Sequence, residues 1–415
     1  MRFTPVVLTL CLVLAAPAGQ AAVDETFAAP LVGVSADLSL HDVYVAALGN
    51  DPRSGIAAAS RQEAAALTAR ADSLLAGAPA LIVRHQTDQA GTDRGLREWE
   101  ANLELPLWRW GQRAANRHQA LSAGELANAQ GQALQLDVAG RVREALWSLA
   151  LAEEQRHLAE QAWHTARALE QDVQRRVAAG DLAEADLLLA RDDTLARQDE
   201  YLLAVSEVRT AEKRYLLLSG LPRRPAEFSE AQSARRRIEA DHPLLLEAQR
   251  RVEQAQAELQ RARAAGSDNP MLIVGTRRDQ EPVTETTHDS IGVSLRLPFG
   301  GGSHAGAAIA AANNQLVQAQ SEQLALQREL ELALHAAQQA LATLRGELEL
   351  AQQQHRMAQE NLRMARLAFD LGEIDLVQRL RVQTRAYTAE RTLNVRTLQL
   401  QQAIARYNQV VGETP

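Results

Sequence analysis

Arg176-Val177-Ala178-Ala179-Gly180-Asp181-Leu182-Ala183-Glu184-Ala185-Asp186 is the one marked break in a proline-free run of 115 residues, Leu107 to Leu221. Upstream of it, Val138, Val142, Ala145, Leu149, Ala152, Arg156, Ala159, Trp163, Ala166, Glu170, Val173 and Val177 follow alternating steps of four and three. Ten of those twelve are apolar, so the run carries a heptad seam, the mark of a helix laid along a partner helix. From Arg109 to Ala178 such a helix spans roughly 100 Å at about 1.5 Å per residue. No single-domain core is that wide, so the chain builds something long and hollow, or long and paired.

The same plan occurs twice. Pro52 and Pro243 are 191 residues apart, as are Pro79 and Pro270, and Leu81-Ile82-Val83 recurs at that spacing as Leu272-Ile273-Val274. Leu105-Pro106 and Leu297-Pro298, Gly180 and Gly372, and Gly220 and Gly412 are 192 apart, which one single-residue insertion reconciles. The second copy repeats the seam at Leu330, Leu334, Ala337, Leu341, Leu344, Leu348, Ala351, His355, Ala358, Leu362, Ala365 and Phe369. Landmarks in register over this length mean a tandem duplication. Repeat 1 covers 22–220, an inter-repeat linker or equatorial segment 221–240, and repeat 2 covers 241–415.

Each repeat has one order of parts. In the first, a short helix over Leu40–Leu48 reaches Asn50-Asp51-Pro52, where proline opens a second helix. That helix runs to about Leu75 and stops at Gly77-Ala78-Pro79. Two extended segments follow, within 80–107 in repeat 1 and 271–299 in repeat 2. Trp99, Ala101, Leu103 and Leu105 alternate with Glu98, Glu100, Asn102 and Glu104, and Ile291, Val293, Leu295, Leu297 and Phe299 with Ser290, Gly292, Ser294 and Arg296. Strict period two puts one face in an apolar medium and the other in water. The strands that open each hairpin, Ala80–Gln86 and Met271–Arg277, are less cleanly patterned, and polar loops Thr87–Gly95 and Arg278–Asp289 connect each pair. After Leu-Pro comes the long helix, then a tip near 180 or 372, then a returning helix about half as long. One long helix beside two short ones stacked end to end gives a wall of even height.

Composition narrows the class. Met1-Arg2, the apolar Val6–Ala16 and Gly19-Gln20-Ala21 read as an export signal over 1–21. The only cysteine, Cys11, lies inside it, so the exported chain has no disulfide, thiol or thiolate metal chemistry. Past the signal no apolar run reaches the eighteen residues of a membrane-spanning helix. A net charge of −8 argues against a nucleic-acid surface. The ten histidines form no His-x-His or His-Glu-x-x-His, which leaves no expected metal site and no cofactor. His355, inside the seam, reads as solvated or hydrogen-bonded, and His85 and His288 as loop residues. No catalytic nucleophile with a base is recognisable, so an enzyme is not expected.

Four strands are too few to close a barrel, and open edges are a liability. Strands of about ten residues, apolar on one side and polar on the other, are the signature of outer-membrane barrels. Three chains with four strands each supply twelve.

The order of helix, strand hairpin, Leu-Pro, long helix, Arg-x-x-x-Gly tip and returning helix ending in glycine, twice over, resembles the TolC family of outer-membrane efflux proteins. The resemblance rests on Leu105-Pro106-Leu107-Trp108 with Gly111-Gln112-Arg113, Arg176 to Asp186, Ser219-Gly220-Leu221-Pro222, Leu297-Pro298-Phe299-Gly300-Gly301-Gly302 and Leu371 to Leu376. Asn50-Asp51-Pro52 and Leu105-Pro106-Leu107-Trp108 are closer to its heavy-metal-efflux (CzcC-like) branch. The resemblance implies a mainly α fold with a small β part, in a homotrimer. Its twelve-stranded barrel crosses the outer membrane of a Gram-negative bacterium and continues as a helical tunnel through the periplasm. A periplasmic adaptor and an inner-membrane pump of the RND type would deliver small solutes, metal ions or drugs, to it.

By position, the resemblance assigns adaptor contact to Gly180, Asp181, Leu182 and Ala183 and to Gly372, Glu373, Ile374 and Asp375. Where several members ring the closed pore with aspartates, this chain has Gln378 and Arg381, so Arg381 becomes the candidate for lining or latching the constriction; a salt bridge to a neighbouring helix is the plainer role. Pro106, Pro298, Gly300, Gly301 and Gly302 fall at the strand-to-helix junction. Trp99, Trp108, Trp110 and Phe299 are candidates for an interfacial girdle, with packing at the junction an equal account of Trp108 and Trp110. Two rivals stand beside this reading: the channel of a type I protein-secretion system, and a soluble periplasmic coiled-coil adaptor.

Overall fold

The computed structural model describes residues 30–91, 94–266, 268–280, 286–299 and 302–415; the export signal and Gly300-Gly301 lie outside them. The first half runs β1 (Gly33–Ser35), α1 (Leu40–Asn50), α2 (Arg53–Asp72), β2 (Ala80–Thr87), β3 (Arg97–Pro106), α3 (Gln112–Ala178) and α4 (Glu184–Ser219). After β4 (Arg223–Pro225) the second half runs α5 (Pro243–Ala265), β5 (Met271–Gln280), β6 (Thr287–Arg296), α6 (Gly302–Asp370) and α7 (Leu376–Val410). The 67 residues of α3 make a rod of about 100 Å.

The heptad seams are the packing surfaces. Val138, Val142, Leu149, Ala152, Ala159, Ala166 and Val173 are buried in α3, and Leu330, Leu334, Leu341, Ala351, Leu362, Ala365 and Phe369 in α6; the other seam positions are half-buried. His355 is one of these half-buried positions, and its Nδ1 is buried without a hydrogen-bond partner among the described residues. Helices α2 and α4 both pack on α3, α5 and α7 both pack on α6, and α3 also meets α5 and α7. The result is four parallel columns in the order α2/α4, α3, α5/α7, α6. With 20 residues in α2 and 36 in α4, the stacked column approaches the height of α3.

Each stack has a joint, and the two joints are built alike from different residues. At the first, Asn50 Nδ2 donates to the carbonyls of Leu217 and Leu218 at 3.1 and 3.2 Å, closing the end of α4 onto the start of α2. Asp51 accepts from the Arg53 amide at 2.9 Å, and the Arg53 guanidinium lowers its pKa to about 2. At the second joint His242 takes the place of Asp51. It is fully buried against Gly412, and its Nδ1 accepts from the Leu244 amide at 3.3 Å. That bond needs the neutral imidazole, and burial pushes the His242 pKa below its usual value.

A histidine with a depressed folded pKa contributes stability that is complete above about pH 6.5 and lost as pH falls through the folded value. Asp51 stays ionised through that window. Acidification below about pH 6.5 is therefore expected to lower the thermal unfolding temperature, and His242→Asn, which keeps a capping acceptor, to flatten that dependence. An unchanged pH profile in the variant would show that the joint does not sense protons.

The segment 221–240 is no loose linker. β4 pairs in parallel with β1, Gly33 opposite Arg223 and Ser35 opposite Pro225. Tyr215 and its repeat counterpart Tyr407, both completely buried, donate their hydroxyls to the carbonyls of Arg223 and Arg235 at 2.7 and 2.5 Å. Between those anchors Phe228 packs on Trp147, ring centroids 4.6 Å apart. The buried Arg143 holds Glu230 at 2.6 and 2.8 Å and reaches Gln409 Oε1 and the Glu413 carbonyl. The segment is a strap tied across the columns.

Some limits shift. Helix α2 ends at Asp72, short of Leu75, because its last carbonyls are taken from outside: Arg113 donates to Ala71 and Asp72, and Trp108 Nε1 to Ser73. β2 runs to Thr87 and β5 to Gln280, past Arg277. His85 and His288 lie within β2 and β6 and are not loop residues, since cross-strand pairing continues through Thr87–Arg97 and Gln280–Thr287.

Candidate functional site

β2, β3, β5 and β6 form one antiparallel sheet in that order, the β3–β5 ladder joining the repeats. The strand order is the column order: β2 leaves α2, β3 enters α3, β5 leaves α5 and β6 enters α6. Sheet and helical wall are thus one continuous four-lane surface.

Register sorts the side chains, because residues directly opposite across antiparallel strands share a face. One face stacks Leu105, Leu272 and Leu295, then Leu81, Leu103, Val274 and Val293, then Val83, Ala101, Thr276 and Ile291. The other is mainly polar, carrying Glu104, Ile273 and Ser294, Ile82, Asn102 and Gly275, Arg84, Glu100, Arg277 and Ser290, and Glu98, Asp279 and His288. Arg277 is ion-paired with Glu98 across that polar face. The apolar face is exposed, with Leu81, Val83, Ile291, Val293 and Leu295 all open. No core of the described residues covers it.

Aromatic residues mark both ends of the apolar band. At the far end Trp99 stacks on His85 at 4.1 Å; at the helix end Trp110 and Phe299 are essentially fully exposed. Ten residues of β6 and its extension, tilted by about 40°, rise about 25 Å between those levels, the height of an outer-membrane barrel's apolar band. Trp108 belongs to the junction instead, through its bond to Ser73 at 3.0 Å. Pro106 is buried there, and its carbonyl accepts from Ala76 at 2.9 Å. Pro298 is half-buried in the extension of β6, and α6 starts at Gly302.

At the opposite end of the molecule the tips are twins. Gly180 and Gly372 have φ of 85° and 74°, a region in which a β-carbon is strained. Asp181 N bonds Arg176 O and Glu373 N bonds Ala368 O, both at 2.8 Å, the six-to-one closure of a helix end by a left-handed glycine. Asp375 caps α7 by accepting from Gln378 N at 2.7 Å, and Asp186 reaches back to the amide of Ala183 at 3.2 Å. Leu182 and Ile374 are half-buried and pack on a cluster of Leu169, Val173, Leu187, Ala190, Phe369 and Leu376, which binds both hairpins together. Gly180, Asp181, Ala183, Gly372, Glu373 and Asp375 are exposed beside Leu182 and Ile374, and on the returning helix Val377, Gln378, Arg381, Thr384 and Arg385 continue the exposed face. Arg381 makes no ion pair among the described residues.

Sequence reading missed the arginine that matters inside the tip. Arg379 stands over the Phe369 ring at 4.6 Å with Arg176 at 5.1 Å, and both face Asp370, at 3.9 and 3.2 Å. Burial pushes the Arg379 pKa down. Only its place in the helical register, one turn beyond Asp375, could have flagged it.

The four-lane surface is open on both sides. β2 and β6 are each paired along one edge only among the described residues and are exposed throughout. On α6 the exposed Leu350, Met357 and Met364, with Leu371 just past its end, recur every seven residues, and on α4 Leu188, Leu195, Leu203 and Leu217 are exposed. At about 100° per residue both stripes lie on the sides of their helices turned away from the intrachain seams.

The profile of the outer membrane efflux proteins matches residues 47–220 and 234–413. The chain belongs to the outer membrane efflux protein family. Among solved structures it is similar to CusC (17% identity, covering 90% of this chain and 92% of that one, TM-score 0.71). It is also similar to the CmeC outer membrane channel of Campylobacter jejuni (16%, 90% and 85%, TM-score 0.72) and to the outer membrane protein VceC of Vibrio cholerae (14%, 90% and 96%, TM-score 0.73). At these identities the likeness is one of fold. Comparison with curated proteins gives no significant sequence relative.

An outer membrane efflux protein is a channel and not an enzyme, and it works in the outer membrane with its helices extending into the periplasm. The fold is TolC-like, mainly α with a small β part, as the resemblance implies. The soluble adaptor falls away, since its single hairpin cannot supply two strand pairs and four columns. The described residues include no group of three or more His, Cys, Asp or Glu that could hold a metal. They also include no helix long and apolar enough to cross a membrane.

Proposed function

We propose that three copies close edge to edge, β6 of one protomer on β2 of the next and α6 on the neighbouring α2/α4 column. The trimer is then a twelve-stranded barrel continuous with a twelve-column tunnel, the passive exit duct of a tripartite pump for small solutes such as metal ions or drugs. The observation that carries this is the shared order of strands and columns with both edges unpaired: one rotation closes sheet and wall together, and removes the exposed edges. Energy comes from an inner-membrane pump of the RND type, reached through a periplasmic adaptor. Gly180, Asp181, Leu182 and Ala183, with Gly372, Glu373, Ile374 and Asp375, form the adaptor-contacting end. The left-handed closures give both tips one shape, and the exposed residues around them leave that end open to a partner.

Purified protein in planar bilayers tests the reading. A heat-modifiable trimer with discrete conductance steps is expected, and a monomer released from washed membranes by carbonate would overturn it. Gln378 and Arg381 form the constriction at the tip end. The same recordings with Arg381→Ala are expected to show higher conductance and a shift toward cation preference, because removing the guanidinium widens the ring and takes away three positive charges. Unchanged conductance and selectivity would remove Arg381 from the gate.

A further inference from the structure

The apolar face of the sheet is not uncharged throughout. Its charged side chains among the described residues all sit in the two levels furthest from the helices. Arg278 is opposite Trp99 on β3 and Asp289 on β6, and one level further out Arg97 is opposite Thr87 and Gln280. Arg97 and Arg278 are therefore diagonal neighbours on the same face, about 7–8 Å apart at their bases. That is close enough for two guanidinium groups to meet on one phosphate. The helices reach into the periplasm, so this end of the sheet lies at the outer leaflet.

Each component has a fixed job. Asp289 accepts from Arg278 Nε and Nη2 at 2.6 and 2.9 Å, which holds the guanidinium plane and leaves three of its five N–H groups free. The Arg97 side chain is exposed and makes no hydrogen bond or ion pair among the described residues. Trp99, stacked on His85, offers an apolar wall at the level where acyl chain meets headgroup. Thr87, Gln280 and Thr287 add neutral hydrogen-bonding groups at the Arg97 level. The polar face of the sheet also carries arginines, but its Arg277 is spent on Glu98 and Asp279. The outward cations keep an excess of one positive charge per protomer.

We propose that Arg97 and Arg278, flanking Trp99, form a headgroup site for a phosphorylated glycolipid of the outer leaflet, one site per protomer. This rests on the barrel reading, since it needs that face in lipid. Two forked guanidinium groups match phosphate oxygens, and the acyl chains continue down the Leu103 and Ile291 levels.

Native mass spectrometry of the detergent-purified trimer with added diphosphorylated lipid A tests it. Up to three retained lipids are expected. The double variant Arg97→Gln/Arg278→Gln should retain lipid about thirtyfold more weakly, from about 1 kcal/mol per cation at a membrane surface. Arg84→Gln, which removes one positive charge from the polar face, should leave retention unchanged, and dephosphorylated lipid A should bind as weakly to wild type as the phosphorylated form binds to the double variant. Equal retention by the double variant, equal loss in Arg84→Gln, or equal binding of the dephosphorylated lipid would each overturn the site. The trimer seen in the same spectrum separates that failure from failure of the barrel, which would show as monomer throughout.

Discussion

Leu188→Glu/Leu195→Glu is expected to abolish the trimer while leaving the protomer folded. Both leucines are about three-fifths exposed in the single chain and sit on the face of α4 opposite its intrachain seam. Closing the wall against the α6 stripe of Leu350, Met357, Met364 and Leu371 would bury each leucine, worth about 1.5–3 kcal/mol apiece. A carboxylate in that place loses the gain and adds its own desolvation. The penalty recurs at three identical interfaces, so it is enough to prevent closure. Cross-linking and unheated gel mobility read the outcome. A stable trimer from the double variant would mean that the columns do not meet through α4.

Arg143→Met is the second large effect, and it strikes the strap. Arg143 is 3% exposed and satisfies Glu230, Gln409 and the Glu413 carbonyl at once, tying α3, the strap and the end of α7. Removing one partner of a buried charged pair leaves the other uncompensated, at about 3–5 kcal/mol. Among the described residues Asn408 alone remains on Glu230, at 3.3 Å. The expected consequence is local release, with faster trypsin cleavage at Arg235-Arg236-Arg237 and a lower dissociation temperature. Glu230→Gln/Arg143→Met should recover part of the loss, because the orphaned charge is gone. Cleavage at the wild-type rate in Arg143→Met would show that the strap is held by Tyr215 and Tyr407 instead.

Much of the wall was legible in the chain. Heptad steps of four and three mark α3 and α6 because a buried seam must recur at the helical period, and the spacing of 191 to 192 residues marks two copies because landmarks keep register through a duplication. Alternation in Trp99–Leu105 and Ile291–Phe299 separated lipid-facing from polar side chains for the same reason, at period two. Local pattern failed where the partner is remote. His85 looked like a loop residue because its stacking partner Trp99 is visible only across the hairpin, and α2 ended early because Arg113 and Trp108 of another element take its last carbonyls. Segment 221–240, with Pro222, Pro225 and a run of arginines, looked like a linker, since Tyr215, Tyr407 and Arg143 that bind it lie on three different helices.

The sequence by itself therefore determined the elements, their lengths, their duplication and the two-faced strands, since each is a periodicity of consecutive residues. Only the tertiary structure decided that strands and columns share one lateral order, that both edges stay open with an apolar stripe on each, and that Arg97 and Arg278 become neighbours. These depend on which β3 residue faces which β5 residue and which helix lies beside which. Such pairings between residues about 180 apart in the chain are set by packing free energy, and no local pattern encodes them.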